Sequence, residues 1–143
     1  MGRIIAIANQ KGGVGKSTTA INLAACLAEK EQKVLIVDID PQGNATSGLG
    51  VSKDDVENTI YQVMLGTISA DDAIQKDVFD NLDVLPSNVN LAGAEIELID
   101  VENREYILKN ILYDIKDRYD YIVLDCPPSL SMLTVNAMTA ADT

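Results

Sequence analysis

The sequence has no histidine, no tryptophan and a single phenylalanine among its 143 residues. Without histidine, these residues can form neither a His-ligated metal centre nor an imidazole general base. Two cysteines, Cys26 and Cys126, are too few and too far apart for a secreted disulfide framework. Their apolar settings predict reduced, buried thiols in an intracellular protein. Positive charge is also scarce: 11 Lys and Arg stand against 22 Asp and Glu, for a net charge of −11. That balance opposes any broad attraction to nucleic acid or to an anionic membrane surface. No apolar run approaches the ~18 residues of a membrane-spanning helix. The start shows no signal-peptide pattern, and Ala6 stands where a myristoylation signal needs Ser or Thr. The expectation is a soluble, intracellular chain of one ordinary domain, with 47% apolar residues to build a core.

Four short runs rich in Ile, Val and Leu, at 4–8, 34–38, 82–85 and 121–125, are nearly continuous in apolar character. Such runs suit strands covered on both faces, as in a parallel sheet. Residues 17–30 are apolar almost all round and predict a deeply packed helix. Residues 102–118 repeat Leu108, Ile111, Leu112, Ile115 and Tyr119 at the spacing of one helical face. The basic residues of that segment alternate with acids, as on a solvated face. Between 51 and 79, "SKDD" at Ser52 and "SADD" at Ser69 carry the capping-box pattern and predict two short helices. No internal repeat, low-complexity tract or linker interrupts the chain. Strands alternating with helices imply an α/β fold: a mostly parallel sheet with helices on both faces, binding its ligand beyond the carboxyl ends of the strands.

The chemistry begins at "NQKGGVGKST", residues 9–18, which follows the first strand and opens a helix. Gly12, Gly13 and Gly15 let the backbone turn with its N–H groups inward and no Cβ to hold a phosphate away. Val14 lies within the same turn. The helix N-terminus beyond supplies unpaired donors and partial positive charge. Lys16 would reach the β- and γ-phosphates, Ser17 would place its hydroxyl on Mg²⁺, and Thr18 could bond the α-phosphate. Two features remain. Gln10 stands where the usual loop has glycine, and Lys11 is a second lysine that such a loop does not need.

Carboxylates cluster at two other strand ends. "VLIVDIDPQGNATSGLG" places Asp38 and Asp40 where alternation would put both on one side and Ile39 in the core. Pro41 and Gly43 then turn the chain. Acids beside a nucleotide can hold Mg²⁺ through water, orient the attacking water, or cap a helix. "YDYIVLDCPPSL" ends its strand in Asp125, which fits an acid holding Mg²⁺ through water. Pro127 and Pro128 would stiffen the loop beyond. An iron–sulfur role for Cys126 would need a second suitably placed cysteine, and Cys26 lies within the first helix.

"KGGVGKST" resembles the deviant Walker A loop of the ParA/MinD group of ATPases, which is related to the nitrogenase iron protein. "DPQGNATSGLG" looks more like ParA than MinD, and "LPSNVNLAGAEIEL" at 85–98 also resembles the family. The similarity runs from 3 to 142 and is greatest to the Soj branch. It implies a P-loop NTPase fold, here truncated, because family members continue into a further strand beyond position 143. It implies ATP and Mg²⁺ as cofactors, ADP as product, and an ATP-dependent sandwich homodimer. Lys11 would reach across that dimer to phosphates held by the partner, Asp40 would position the attacking water, and Asp38 would lie near Mg²⁺. A ParB- or Spo0J-like activator would stimulate slow hydrolysis. The family's adenine contacts and its basic residues for non-specific DNA binding lie beyond this chain, so no residue here inherits them. The implied function is chromosome or plasmid partitioning in the cytoplasm, at the nucleoid and without membrane binding. The alternatives are a MinD-like ATPase with a membrane-binding helix past Thr143, or a non-catalytic nucleotide-binding fragment.

Overall fold

Each of the four apolar runs forms a strand in the computed structural model, which describes residues 2–7, 14–52, 57–127 and 131–142. In chain order the strands are β1 (Arg3–Ile7), β2 (Val34–Asp38), β3 (Gln75–Phe79), β4 (Leu82–Leu85) and β5 (Tyr121–Asp125). The helices are α1 (Val14–Glu29), α2 (Asn44–Gly48), α3 (Ile60–Met64), α4 (Ala70–Ala73), α5 (Ala94–Glu97), α6 (Ile107–Tyr113) and α7 (Met132–Ala140). Short 3₁₀ turns lie at Val89–Gly93, Arg104–Tyr106 and Lys116–Arg118.

The strands make one sheet in the order β1-β5-β2-β4-β3, parallel except for β3, which pairs antiparallel with β4. This is the expected mostly parallel α/β architecture. Side-chain alternation along β2 explains the two-sided core. Leu35 and Val37 join one apolar cluster with Ile60, Leu108, Leu112, Ile122 and Leu133, under α3 to α7. Val34 and Ile36 join another with Ala20, Ala24 and Ala28 of α1.

Several expectations are corrected. Residues 17–30 do form a helix, but it is not deeply packed: among the described side chains of this stretch, only Ala20, Ala24 and Ala28 are buried. Those positions recur every four residues and make one narrow stripe of small side chains, leaving the neighbouring apolar residues partly open. Cys26 lies off that stripe and is exposed, whereas Cys126 is buried as expected. The 51–79 stretch holds the helices α3 and α4, but its last part is the edge strand β3, whose side chains are mostly exposed. The capping box at Ser69 is present, with Asp72 reaching back. The one at Ser52 depends on residues outside the described set. Thr59 and Gln62 form a further capping box on α3. The 102–118 segment is not one helix but a 3₁₀ turn, α6 and a second 3₁₀ turn. Its predicted apolar face is nevertheless buried at Leu108, Leu112, Ile115 and Tyr119.

Asp142 meets the outer edge of β1. Its N–H donates to the Ile4 carbonyl (2.7 Å), and its carboxylate accepts the Ile4 N–H (2.9 Å).

Candidate functional site

The register puts three strand ends in one row. Ile7 is opposite Asp125, and Asp125 is opposite Asp38. β5 therefore lies between β1 and β2, the two strands that α1 connects. In open α/β sheets such a point opens a crevice beyond the carboxyl ends, where ligands bind. In the chain, α1 begins at Val14 and runs between β1 and β2.

Asp38 and Asp125 are fully buried, and Asp40 is 3% exposed. Asp38 is held from three directions. Its Oδ2 accepts the Thr46 N–H (2.9 Å) and the Thr46 hydroxyl (2.6 Å), while Oδ1 accepts the Asp40 N–H (3.1 Å). Ile39 packs into the core between the two acids, and its N–H donates to the Asp125 carbonyl (2.9 Å). The Asp40 carboxylate accepts the Gln42 N–H (3.0 Å), and the Asp40 carbonyl accepts the Gly43 N–H (2.8 Å). Gly43 then turns through φ 66° to start α2, a left-handed conformation that costs glycine nothing.

Burial raises the Asp38 pKa to about 7 from its ordinary 3.8. The Thr46 hydroxyl and N–H pull it back down, the Asp125 charge pushes it up, and the Asp40 N–H lowers it. A buried carboxylate facing a second one favours holding a proton unless a cation arrives. Among the described residues, no group of three or more acids or thiols could hold a metal alone. A two-acid row fits Mg²⁺, which keeps several waters and takes one or two carboxylates plus phosphate oxygens. Asp125 and the second lone pair of Asp38 Oδ1 are the places where this row could meet such an ion or its water.

The other expected site residues fall largely outside this description. Lys11, Gly12 and Gly13 are not among the described residues. Val14, Gly15, Lys16, Ser17 and Thr18 open α1, where only the backbone course is described. Pro128 also lies outside.

Two residues that sequence reasoning passed over belong to the site. Thr46 and Ser87 are fully buried. The Ser87 N–H donates to the Thr46 hydroxyl (3.0 Å), and the Ser87 hydroxyl donates to the Asp40 carbonyl (2.8 Å). The threonine could have been suspected as a hydroxyl just beyond a buried acid. Nothing in the sequence marks the serine.

A family model described as an AAA domain matches residues 2–143. The chain is 57% identical to the sporulation initiation inhibitor protein Soj of Bacillus subtilis, over 99% of this chain and 56% of that protein. It is 51% identical to the chromosome partitioning protein ParA of Myxococcus xanthus, over 99% of this chain and 50% of that protein. Among solved structures, it is similar to cobyrinic acid a,c-diamide synthase of Mycobacterium smegmatis with bound ATP analog and magnesium. That match has a TM-score of 0.93 and 42% identity, over 99% of this chain and 57% of that one. The chain spans about half the length of the curated relatives it matches. The family model covers nearly the whole chain, so the chain belongs to the AAA-domain family.

Proposed function

We propose that this chain is the phosphate- and Mg²⁺-binding part of a single P-loop ATPase domain spanning residues 1–143 and continuing in the longer relatives. The intact protein binds Mg-ATP, forms an ATP-dependent sandwich homodimer, hydrolyses ATP slowly, and acts in chromosome or plasmid partitioning. The observation that carries this reading is the row of buried acids, Asp38 beside Asp125, next to the strand that feeds the glycine-rich loop into α1. Similarity to a chromosome partitioning protein ParA and a chromosome-partitioning ATPase Soj favours partitioning over a MinD-like role.

In this reading the main-chain amides from Gly12 to Thr18 cradle the phosphates, and Lys16 neutralises them. Lys11 lends its charge to the nucleotide of a second copy, as arginine fingers do. Ser17, Asp125 and Asp38 surround the metal, directly or through water, and Asp40 orients the attacking water. Bound Mg²⁺ would supply charge neutralisation for phosphoryl transfer. The acids of the site are buried, and its chemistry is positioning and electrostatics. A ParB- or Spo0J-like activator and non-specific DNA complete the proposed cycle in the cytoplasm, at the nucleoid. No helix among the described residues is long and apolar enough to cross a membrane.

The test is phosphate release and dimerisation by the intact protein. Lys16→Ala should abolish ATP hydrolysis. Asp40→Ala should bind ATP and accumulate as a dimer with hydrolysis at least ~10²-fold slower. Lys11→Ala should weaken dimerisation or turnover. A monomeric Asp40→Ala protein at saturating ATP would remove the role given to Asp40. Normal hydrolysis by Lys16→Ala would end the ATPase reading.

A further inference from the structure

The peptide groups on both sides of Asp40 are clamped. Its N–H is held by the Asp38 carboxylate (3.1 Å), and its carbonyl by the Ser87 hydroxyl (2.8 Å) as well as the Gly43 N–H (2.8 Å). Thr46 joins these restraints into one circuit. Its hydroxyl donates to Asp38 Oδ2 (2.6 Å) and accepts the Ser87 N–H (3.0 Å). A hydroxyl is the group that can do both at once. The circuit ties the loop after β2 to the loop after β4, across 41 and 47 residues of sequence. Thr46 and Ser87 are both fully buried, so solvent cannot stand in for a lost hydroxyl.

We propose that Thr46 and Ser87 are positioning residues for ATP hydrolysis: resting on the role proposed above for Asp40, their hydroxyls lock the 38–46 loop onto the end of β4 so that the Asp40 carboxylate is presented at a fixed depth. An apolar contact would hold the loop near the sheet but would leave its peptide planes free to rotate. Hydrogen bonds to both flanking peptide groups fix the orientation of the side chain between them. The segment at 85–98 therefore acts on the reaction through Ser87, by setting the place of an acid in the loop after β2.

The experiment uses the intact protein with ATP and Mg²⁺, measuring nucleotide affinity, single-turnover phosphate release and urea stability. Thr46→Val keeps the shape and removes the hydroxyl. It should leave ATP affinity unchanged while slowing single-turnover hydrolysis at least about tenfold, since small misplacements of a reacting group are that costly. Thr46→Ser should restore the rate. Ser87→Ala should repeat the Val phenotype, and it carries the test alone if Thr46→Val does not fold. Hydrolysis at the wild-type rate in both hydroxyl-free variants overturns the proposal. A parallel loss of affinity and rate that Thr46→Ser does not repair overturns it too, because that is the mark of a merely structural role. Asp40→Ala separates the two levels. If it is inactive while Thr46→Val and Ser87→Ala turn over normally, only the positioning role fails. If it hydrolyses normally, the reading of Asp40 fails and takes the positioning role with it.

Discussion

The two ends of the sheet handle their acids in opposite ways. At the carboxyl end, Asp38 and Asp125 face each other across adjacent strands, fully buried. At the amino end, acids and cations mix around a hollow of about 220 Å³ lined by Lys33, Lys76, Asp83, Arg118 and Tyr119. There Asp83 accepts the Tyr119 hydroxyl (2.6 Å) and the Asp77 N–H (2.8 Å), and Arg118 pairs with Asp71 near the surface. Burial, with the bond to Asp83, pushes the Tyr119 hydroxyl pKa upward, so it stays a neutral donor at any ordinary pH. The amino end is a solvated arrangement that screens its own charge. The carboxyl end concentrates negative charge away from water, which is costly unless donors or a cation compensate. A fold that accepts that cost at one end only is organised around what the charge will meet there.

Asp38→Ala should produce the largest effect. It strands the Thr46 N–H, the Thr46 hydroxyl and the Asp40 N–H in a buried place, at about 1–3 kcal/mol for each donor left unsatisfied. A loss of at least about 2 kcal/mol in urea unfolding is expected, with Asp38→Asn much milder because it keeps an acceptor oxygen. An unchanged midpoint in Asp38→Ala would mean that these donors find other partners, and the contrast between the two ends would dissolve.

A smaller effect should come from pH, without nucleotide or metal. Asp38 titrates near 7 when folded, against 3.8 ordinarily, so the folded chain binds this proton more tightly than the unfolded chain. Its contribution to stability is full below about pH 4, declines as pH rises, and is gone above about pH 7. Loss of general charge repulsion on acidification points the same way in a chain of net charge −11. The comparison with Asp38→Asn isolates the carboxyl group: urea midpoints between pH 5 and 8 should fall more steeply in the wild type. Parallel slopes would show that Asp38 keeps one protonation state across this range, against the titration expected.

How much of this the sequence disclosed depended on how far apart the partners lie. Parallel strands buried on both faces must be continuously apolar, so β2, β4 and β5 stand out with their bounds intact. β3 does not, because the edge strand "QKDVF" exposes most of its side chains and carries charges that discourage edge pairing. The periodicity of 102–118 located the buried face correctly. It missed the breaks, where Asn103 takes φ 57° and the two ends tighten into 3₁₀ turns. Cys26 misled because an apolar neighbourhood in sequence is not a buried one when only an alanine stripe touches the sheet. Asp38, Asp40 and Asp125 were legible as strand-end acids. Thr46 and Ser87 were not, since their contact exists only because β2 and β4 become neighbours in the sheet.

The smallest effect is predicted at the amino end and gives the comparison its baseline. Arg118 and Asp71 are each about half exposed, and the guanidinium lowers the Asp71 pKa through a hydrogen bond and its charge. Such a pair gains little over its hydrated partners and loses side-chain freedom, and salt screens what remains. Arg118→Ala should therefore leave the urea midpoint unmoved at physiological ionic strength. A drop comparable to that of Asp38→Ala would mean that this pair belongs to a cooperative network reaching Asp83 and Tyr119. The amino end would then be a structural lock in its own right, and burial of charge would no longer separate the working end of the sheet from the other.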